Sequence, residues 1–333
     1  MSESPTLSDI AKAAGVSTST VSRALKDSPK IPESTRKRIQ SVAKEMGYEA
    51  NRSISRVMSE IRSRKQMEYR ETLAYVTSDL KSYEAHIYKG VLRRAEQIGY
   101  RVDRFVLKDV DQETAALDRM LRARGIRGVI VAPFGIPNAE LQLAWEHFAA
   151  VTIGYTMSSP DLHRVGRDVV HMLRMVFSEL TSRGYQRIGF MIEKTHEARM
   201  DYSTLAGYLV HEWQLSGSKQ VQALVDEHLT ADSIVNWYER EKPDVVFTMD
   251  HNARSWLEKA GYRCPEDFGF FVFNCYNRDS TVSGVYPEYE NLGAAAVEQV
   301  SGLLERGEFG VPTAPRCLLV PGLWCEGQTI HRT

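Results

Sequence analysis

The apolar pattern of this chain changes its period near residue 70, and that change decides the fold class. Upstream, apolar residues recur at i, i+3, i+4 and i+7, the spacing of short amphipathic helices. Downstream, strand-like runs alternate with helical stretches. "TLAYVTS", "YRVDRFVL", "GVIVAPF" and "AAVTIGY" read as strands, with helical segments between them such as 84–98 and 138–148. The order repeats with "RIGFMI", "DVVFTMD" and "FGFFVFN", separated by helices near 168–183, 199–215 and 252–260. Strand–helix alternation predicts parallel sheets covered on both faces. Residues 72–333 are too many for one open sheet and suit two lobes, and the full 333 residues suit two or three domains.

The segment before the change reads as three helices. "TLSDIAKAA" has Thr6 as its cap and Asp9 as the return partner, an apolar face of Ile10, Ala13 and Ala14, and Gly15 as its stop. The second helix begins at Ser17. Val16 and Val21 have the spacing of a hydrophobic staple, and Val21, Ala24 and Leu25 form the inner stripe. The third runs from about Glu33 to Met46, opened by Pro32, striped by Ile39, Val42, Ala43 and Met46, and stopped by Gly47. Ser17, Thr18, Ser19, Thr20 and Ser22 crowd into "GVSTSTVSRAL" and place hydroxyls at a helix start, with Arg23 a turn later. Two short helices joined by a glycine turn, the second polar outside, make a helix-turn-helix. In that motif the second helix enters the major groove. Short hydroxyls permit close approach to base edges, and an Arg reads guanine. Thr18 and Ser19 also fit a plain helix start.

Charge divides the same way. Residues 1–70 hold 14 Lys/Arg and 8 Asp/Glu, a net of +6, whereas the whole chain is at −1. A basic head on an acidic body points to a polyanionic partner. Between them, "EANRSISRVMSEIRSRKQMEYRE" carries Ile54, Val57, Met58 and Ile61 on one face, a stripe too short to fold alone. Residues 62–71 read as a charged linker.

Other classes of function find little support. The four cysteines, Cys264, Cys275, Cys317 and Cys325, show no C-x-x-C pair and read as small apolar residues in a reducing cytoplasm. The expectation is no signal peptide, no membrane span, no metal and no cofactor. The nine histidines lack H-E-x-x-H spacing, and no G-x-S-x-G, Walker loop or G-x-G-x-x-G occurs, so an enzyme is not expected. Candidates for a small-molecule site lie near predicted strand ends, where open α/β sheets bind ligands: Asp79, Tyr83, Phe134, Asp168, Asp250, Asn274 and Tyr276. Asp168 and Asp250 serve equally well as helix caps.

"TLSDIAKAAGVSTSTVSRALKDSPKIPESTRKRIQSVAKEMGY", residues 6–48, resembles the DNA-binding headpiece of the lac repressor/gal repressor family of bacterial transcription regulators, nearly position for position. "VGRD" at 165–168, "SRGYQRIGF" at 182–190, "PDVVFTMDHNA" at 243–253 and "CPEDFGFFVFN" at 264–274 extend the likeness into the body. The resemblance implies an all-α helix-turn-helix headpiece at 1–49, a hinge helix and linker at 50–71, and a two-lobed periplasmic-binding-protein-like core at 72–333. Lobe 1 would be about 72–164 plus 286–333, and lobe 2 about 165–285.

It further implies that Thr18, Ser19 and Arg23 read bases, and that Ser17, Thr20, Ser22 and Asn51 make phosphate or hinge contacts. Val57 stands where the family wedges an apolar side chain into the minor groove, with Met58 as the substitute. The chain departs from the family at Ala50, Ile54 and Val57. An effector-gripping Arg aligns with Thr204, and a sugar-binding Asp with Asn274, while Asp168 and Asp250 are retained. The implied protein is a cytoplasmic, nucleoid-associated homodimeric repressor on a palindromic double-stranded operator. Its implied effector is a small molecule of carbohydrate type, outside the family's commonest sugars. No heptad tail follows "LVPGLWCEG", which fits a dimer.

Overall fold

The computed structural model describes residues 7–25, 31–46, 70–78, 82–215 and 217–331. The chain divides into two compact units, Met1–Glu68 and Tyr69–Thr333.

The first unit holds α1 (Leu7–Ala14), α2 (Thr18–Ala24) and α3 (Glu33–Glu45). α1 ends as its glycine dictates. Gly15 takes φ +64°, the Val16 N–H reaches Ala11 O at 3.1 Å, and the Gly15 N–H reaches Lys12 O at 3.3 Å. This is a Schellman close, which satisfies carbonyls that would otherwise be stranded. Val16 then packs partly buried beside fully buried Val21, and Ser17 accepts the Thr20 N–H at 3.3 Å to start α2. The core is Ile10, Ala11, Ala14, Val21, Ala24, Ile39 and Ala43. Ala13 was expected on this face but is exposed, and Ala11 replaces it. At 3.6 residues per turn, Ala11 and Ala13 flank Ile10 on opposite sides, and the turn into Val16 draws α1 toward Ala11. Gln40 fastens α3 to the end of α2 by donating to Ala24 O at 3.2 Å.

The second unit begins with β1 (Thr72–Thr77), α4 (Ser82–Ile98), β2 (Arg101–Val106), α5 (Val110–Ala123) and β3 (Gly128–Val131). Short β4 (Ala139–Glu140), β5 (Ala149–Ile153), short β6 (Met157–Ser159) and β7 (His163–Arg167) follow. Next come α6 (Val169–Ser182), β8 (Ile188–Glu193), α7 (Lys194–Arg199), α8 (Ser203–Gln214), β9 (Leu224–Asp226) and α9 (Ala231–Glu241). The chain continues through β10 (Val245–Thr248), α10 (Ala253–Lys259), β11 (Gly269–Val272) and β12 (Ser283–Tyr286). It finishes with α11 (Tyr289–Arg306), β13 (Cys317–Val320) and β14 (Leu323–Cys325).

Two six-stranded sheets result, in the orders β13-β7-β5-β3-β1-β2 and β14-β12-β11-β10-β8-β9, beside a two-stranded one of β4 and β6. Every neighbouring pair is parallel except β12 and β14. The continuous apolar runs of the sequence are the central strands: Leu73, Ala74, Tyr75 and Val76 of β1 are wholly buried, as are Val245, Val246 and Phe247 of β10. Strands buried on both faces are expected of parallel sheets. In the second lobe, Phe190, Tyr208, Phe247, Phe271 and Phe273 fill one layer, with Phe247 and Phe273 edge to face at 5.3 Å.

Helix α11 returns to the first lobe and lies against α4 with backbone touching backbone. A Cβ on Gly90 would sit 2.0 Å from Glu290 O, and one on Gly293 would sit 2.1 Å from Ile87 O. Only glycine permits this approach.

Three expectations change. Residues 138–148 are not a helix: Ala139, Leu141, Leu143 and Trp145 are buried at every second position, which is strand spacing. β4 accordingly pairs with β6, and only Trp145–His147 forms a 3₁₀ turn. The helix expected at 199–215 is α8, which starts only at Ser203; Arg199 ends the separate short helix α7, and the two are broken where Asp201 and Tyr202 take φ +51° and +56°. The lobe boundaries also shift. β7 pairs with β5 and β13 in the first sheet, so the first crossing follows Arg167. β14 pairs antiparallel with β12, and Thr329 bonds Phe270 and Ser283, so 323–331 belong to the second lobe.

Candidate DNA-reading helix and ligand cleft

Helix α2 turns Val21 and Ala24 into the core and leaves Ser17, Thr18 and Arg23 exposed. Helical spacing places Thr18 and Arg23 on the side away from Val21 and Ala24. Thr20 is half-buried, its hydroxyl 2.9 Å from that of Ser17. Arg23 makes no ion pair among the described residues. Asn51, Val57 and Met58, and with them the expected hinge helix, lie outside the described residues, as does Asp79.

A cleft of about 460 Å³ opens in the second unit at the carboxyl ends of the strands. Pro133 follows β3, Ile153 and Gly154 end β5, and Gly166 and Arg167 end β7. Met249 follows β10, and Asn274 follows β11. Tyr83 and Ile87 enter from α4, His196 and Arg199 from α7, and Tyr289 and Leu292 from α11. The lining thus draws on both lobes, at the place where α/β sheets hold ligands.

Of the expected effector residues, Tyr83, Asn274 and Tyr276 line the cleft. Phe134 is fully buried behind Pro133, and its N–H donates to Thr156 Oγ1 at 2.8 Å, which positions a lining residue. Asp168 caps α6, accepting the His171 N–H at 3.2 Å. Asp250 accepts the Asn252 N–H at 2.8 Å in the turn before α10. Thr204 is fully buried in α8, off the lining, and its hydroxyl has no partner among the described residues.

Sequence reasoning missed Arg167, Arg199, Tyr155 and Tyr289. Arg167 is the last residue of β7, in a phrase where only the following Asp had drawn notice. Its guanidinium lies 5.9 Å over the Phe273 ring and donates to Met200 Sδ. Burial lowers its pKa below the usual guanidinium range, and Arg199 adds like-charge repulsion. Arg199 donates from Nη2 to the Tyr83 hydroxyl, while its buried Nε has no partner among the described residues. Tyr83 and Tyr289 pack at 5.8 Å, and Tyr276 stacks on His251 at 4.6 Å. Burial also raises the Tyr289 phenol, and raises the Tyr155 phenol to about 12, where Cys317 is 3.6 Å away. Aromatic walls with a few convergent polar groups suit a polar ligand with a flat or ring-shaped body.

A three-helix unit exposing a polar second helix, attached to a two-lobed α/β unit with a cleft at its strand ends, defines a DNA-binding transcription regulator. Residues 6–51 match the model of the family described as "Bacterial regulatory proteins, lacI family". The chain is 25% identical over 303 residues to the HTH-type transcriptional regulator GalR of Salmonella typhimurium (strain SL1344), covering 89% of this chain and 78% of that protein. Its fold is shared with a transcriptional regulator CelR–cellobiose complex, at 19% identity, TM-score 0.59 and coverage of 98% and 99%. It is shared equally with the lac repressor dimer bound to operator and the anti-inducer ONPF, at 18% identity, TM-score 0.59 and the same coverage. Residues 6–51 thus carry a domain of the lacI family of bacterial regulatory proteins, and the relatives that the chain resembles along most of its length are transcriptional regulators rather than enzymes. Among the described residues no helix is long and apolar enough to cross a membrane.

Proposed function

We propose that this regulator is a repressor, acting as a homodimer on a palindromic operator, whose affinity changes when a carbohydrate-type small molecule enters the cleft. The observation that carries this reading is the cleft lining. It takes Tyr83, Tyr155, Arg167 and Tyr289 from one lobe, and Arg199, Met249, Asn274 and Tyr276 from the other. A ligand that touches both lobes binds their closed arrangement better than an open one, and that differential shifts the population. The cellobiose-bound relative in fold supports a carbohydrate class. On the DNA side, Thr18, Ser19 and Arg23 read bases, with Ser17, Thr20, Ser22 and Asn51 contacting the backbone or hinge. Val57, or Met58 in its stead, wedges the minor groove.

Binding-site selection with the full chain tests the regulator reading. The expected result is a palindromic motif that Arg23→Ala blurs at one base pair per half-site, with a loss of about 1–3 kcal/mol on the operator. A wild-type motif from the variant removes Arg23 from the reading set. Failure to select any motif overturns the function.

A further inference from the structure

We propose that the ligand this cleft is built for is an anion, a ring-shaped polyol carrying a carboxylate or a phosphate, gripped by Arg167 and Arg199. The inference rests on the reading of the cleft as an effector site and names the effector's charge class.

Among the described residues the lining holds two arginines and a histidine, and no Asp or Glu. Neither Arg167 nor Arg199 forms an ion pair among the described residues. Arg167 spends a donor on a thioether, a weak acceptor, and places its plane over a phenyl ring. Arg199 spends one donor on a neutral phenol and leaves Nε buried and unmatched. Glu197, a buried acid whose charge acts on Arg167, commits Oε1 to the Leu205 N–H at 2.8 Å, and burial drives its carboxyl toward the neutral form. Arg167, whose buried charge has only the through-space attraction of Glu197 to offset it, and half-buried Arg199, with no ion pair among the described residues, are costly to hold. A carboxylate or phosphate meets their fork geometry and removes that cost.

The remaining lining suits the rest of such a molecule. Asn274 Oδ1 is buried without a partner among the described residues and accepts a hydroxyl. Tyr83, Tyr276 and Tyr289 line the cleft and supply aromatic surface for a sugar ring. A neutral sugar satisfies Asn274 and the rings equally well but leaves both charges unmet.

The test uses the full chain, calorimetric titration and thermal melting at fixed ionic strength. The probes are D-glucuronate and D-galacturonate for the carboxylate arm and D-glucose 6-phosphate for the phosphate arm. D-glucose and D-galactose are the neutral counterparts. An anion binding more tightly than its neutral counterpart, and losing about 10- to 100-fold on Arg167→Gln or Arg199→Gln, supports the proposal and tells carboxylate from phosphate.

Ligand-free melting decides even if no probe fits. Removing an unmet charge leaves the Arg167→Gln melting temperature equal to wild type or higher. A clear fall means the chain itself neutralises Arg167 and overturns the proposal. So does a neutral sugar that binds best and is unaffected by Arg167→Gln. If Arg167→Gln fails to fold, Arg199→Gln carries both readouts. Operator binding on the same preparations separates the failures. Loss of the anion preference with a neutral-sugar response intact breaks only this inference, whereas absence of any operator binding breaks the regulator reading.

Discussion

The two compact units are held together by different means. Among its described residues the first unit has seven buried core residues, four of them alanines: Ala11, Ala14, Ala24 and Ala43. Little apolar area is available, so the geometry of its ends counts for more, in the Gly15 close, the Ser17 cap and the Val16–Val21 staple. The second unit has buried strands and whole layers of aromatic rings. Caps there are minor, and fit between large elements is what a substitution disturbs. Small units are broken at their ends and large units at their seams.

The largest effect should come from the seam between α4 and α11. Gly293→Ala drives a Cβ into Ile87 O and the Val91 N, which are backbone atoms with no rotamer to change. The helices must part along their length. The expected loss is about 3 kcal/mol, at the upper end of overpacking costs. Gly90→Ala should act alike, since its Cβ meets the Glu290 backbone. Denaturant unfolding of the second unit measures this. A shift below about 1 kcal/mol would mean that the helices slide freely, and the seam would not be where this unit is vulnerable.

A smaller effect should come from the head. Ser17→Ala removes the acceptor for the Thr20 N–H and costs about 1 kcal/mol of local stability. Hydrogen exchange in α1–α3 should speed up several-fold while the second unit keeps its protection. Equal acceleration in both units would dissolve the contrast between them. Because the head is thin, the same loss is a larger share of its stability.

What the sequence made legible follows the same division. Head architecture is local: a cap, a staple and a glycine stop all fall within a few residues, so the helices and Ser17 were readable in one pass. Central strands of the body were readable because their burial on both faces leaves unbroken apolar runs. Residues 138–148 deceived because their helical content hid an every-second-residue burial that only the pairing of β4 with β6 explains. The cleft was the least readable. Its lining comes from the ends of separate strands and from two helices, and chain order does not say which end residue faces inward. Asp168 and Asp250 looked like ligand groups, and each gives its Oδ1 to a backbone N–H at a helix start, off the lining, while the neighbouring Arg167 faces the cleft. A signal existed in "HRVGR", where Arg167 follows Val165 and Gly166 at the strand's carboxyl end, but it becomes a site only once β7 is placed beside β5.

The smallest effect isolates charge from fit at the same seam. Glu290 pairs with Lys89 at 2.7 Å and Arg93 at 3.3 Å, linking α11 to α4 beside the Gly90 contact. The hydrogen bond from Lys89 chiefly holds its carboxyl below the usual glutamate value of 4.5. A carboxyl depressed in the folded state adds stability at pH values above its unfolded pKa, and that stability is lost as pH falls through the folded one. Both cationic partners are largely exposed, so the contribution should stay below about 1 kcal/mol. Glu290→Gln should therefore melt slightly below wild type at pH 7, and the gap should narrow as pH drops below the ordinary glutamate range. A gap that persists unchanged to pH 3 would assign the loss to packing against α4. The seam would then depend on shape alone, with the ion pairs contributing nothing measurable.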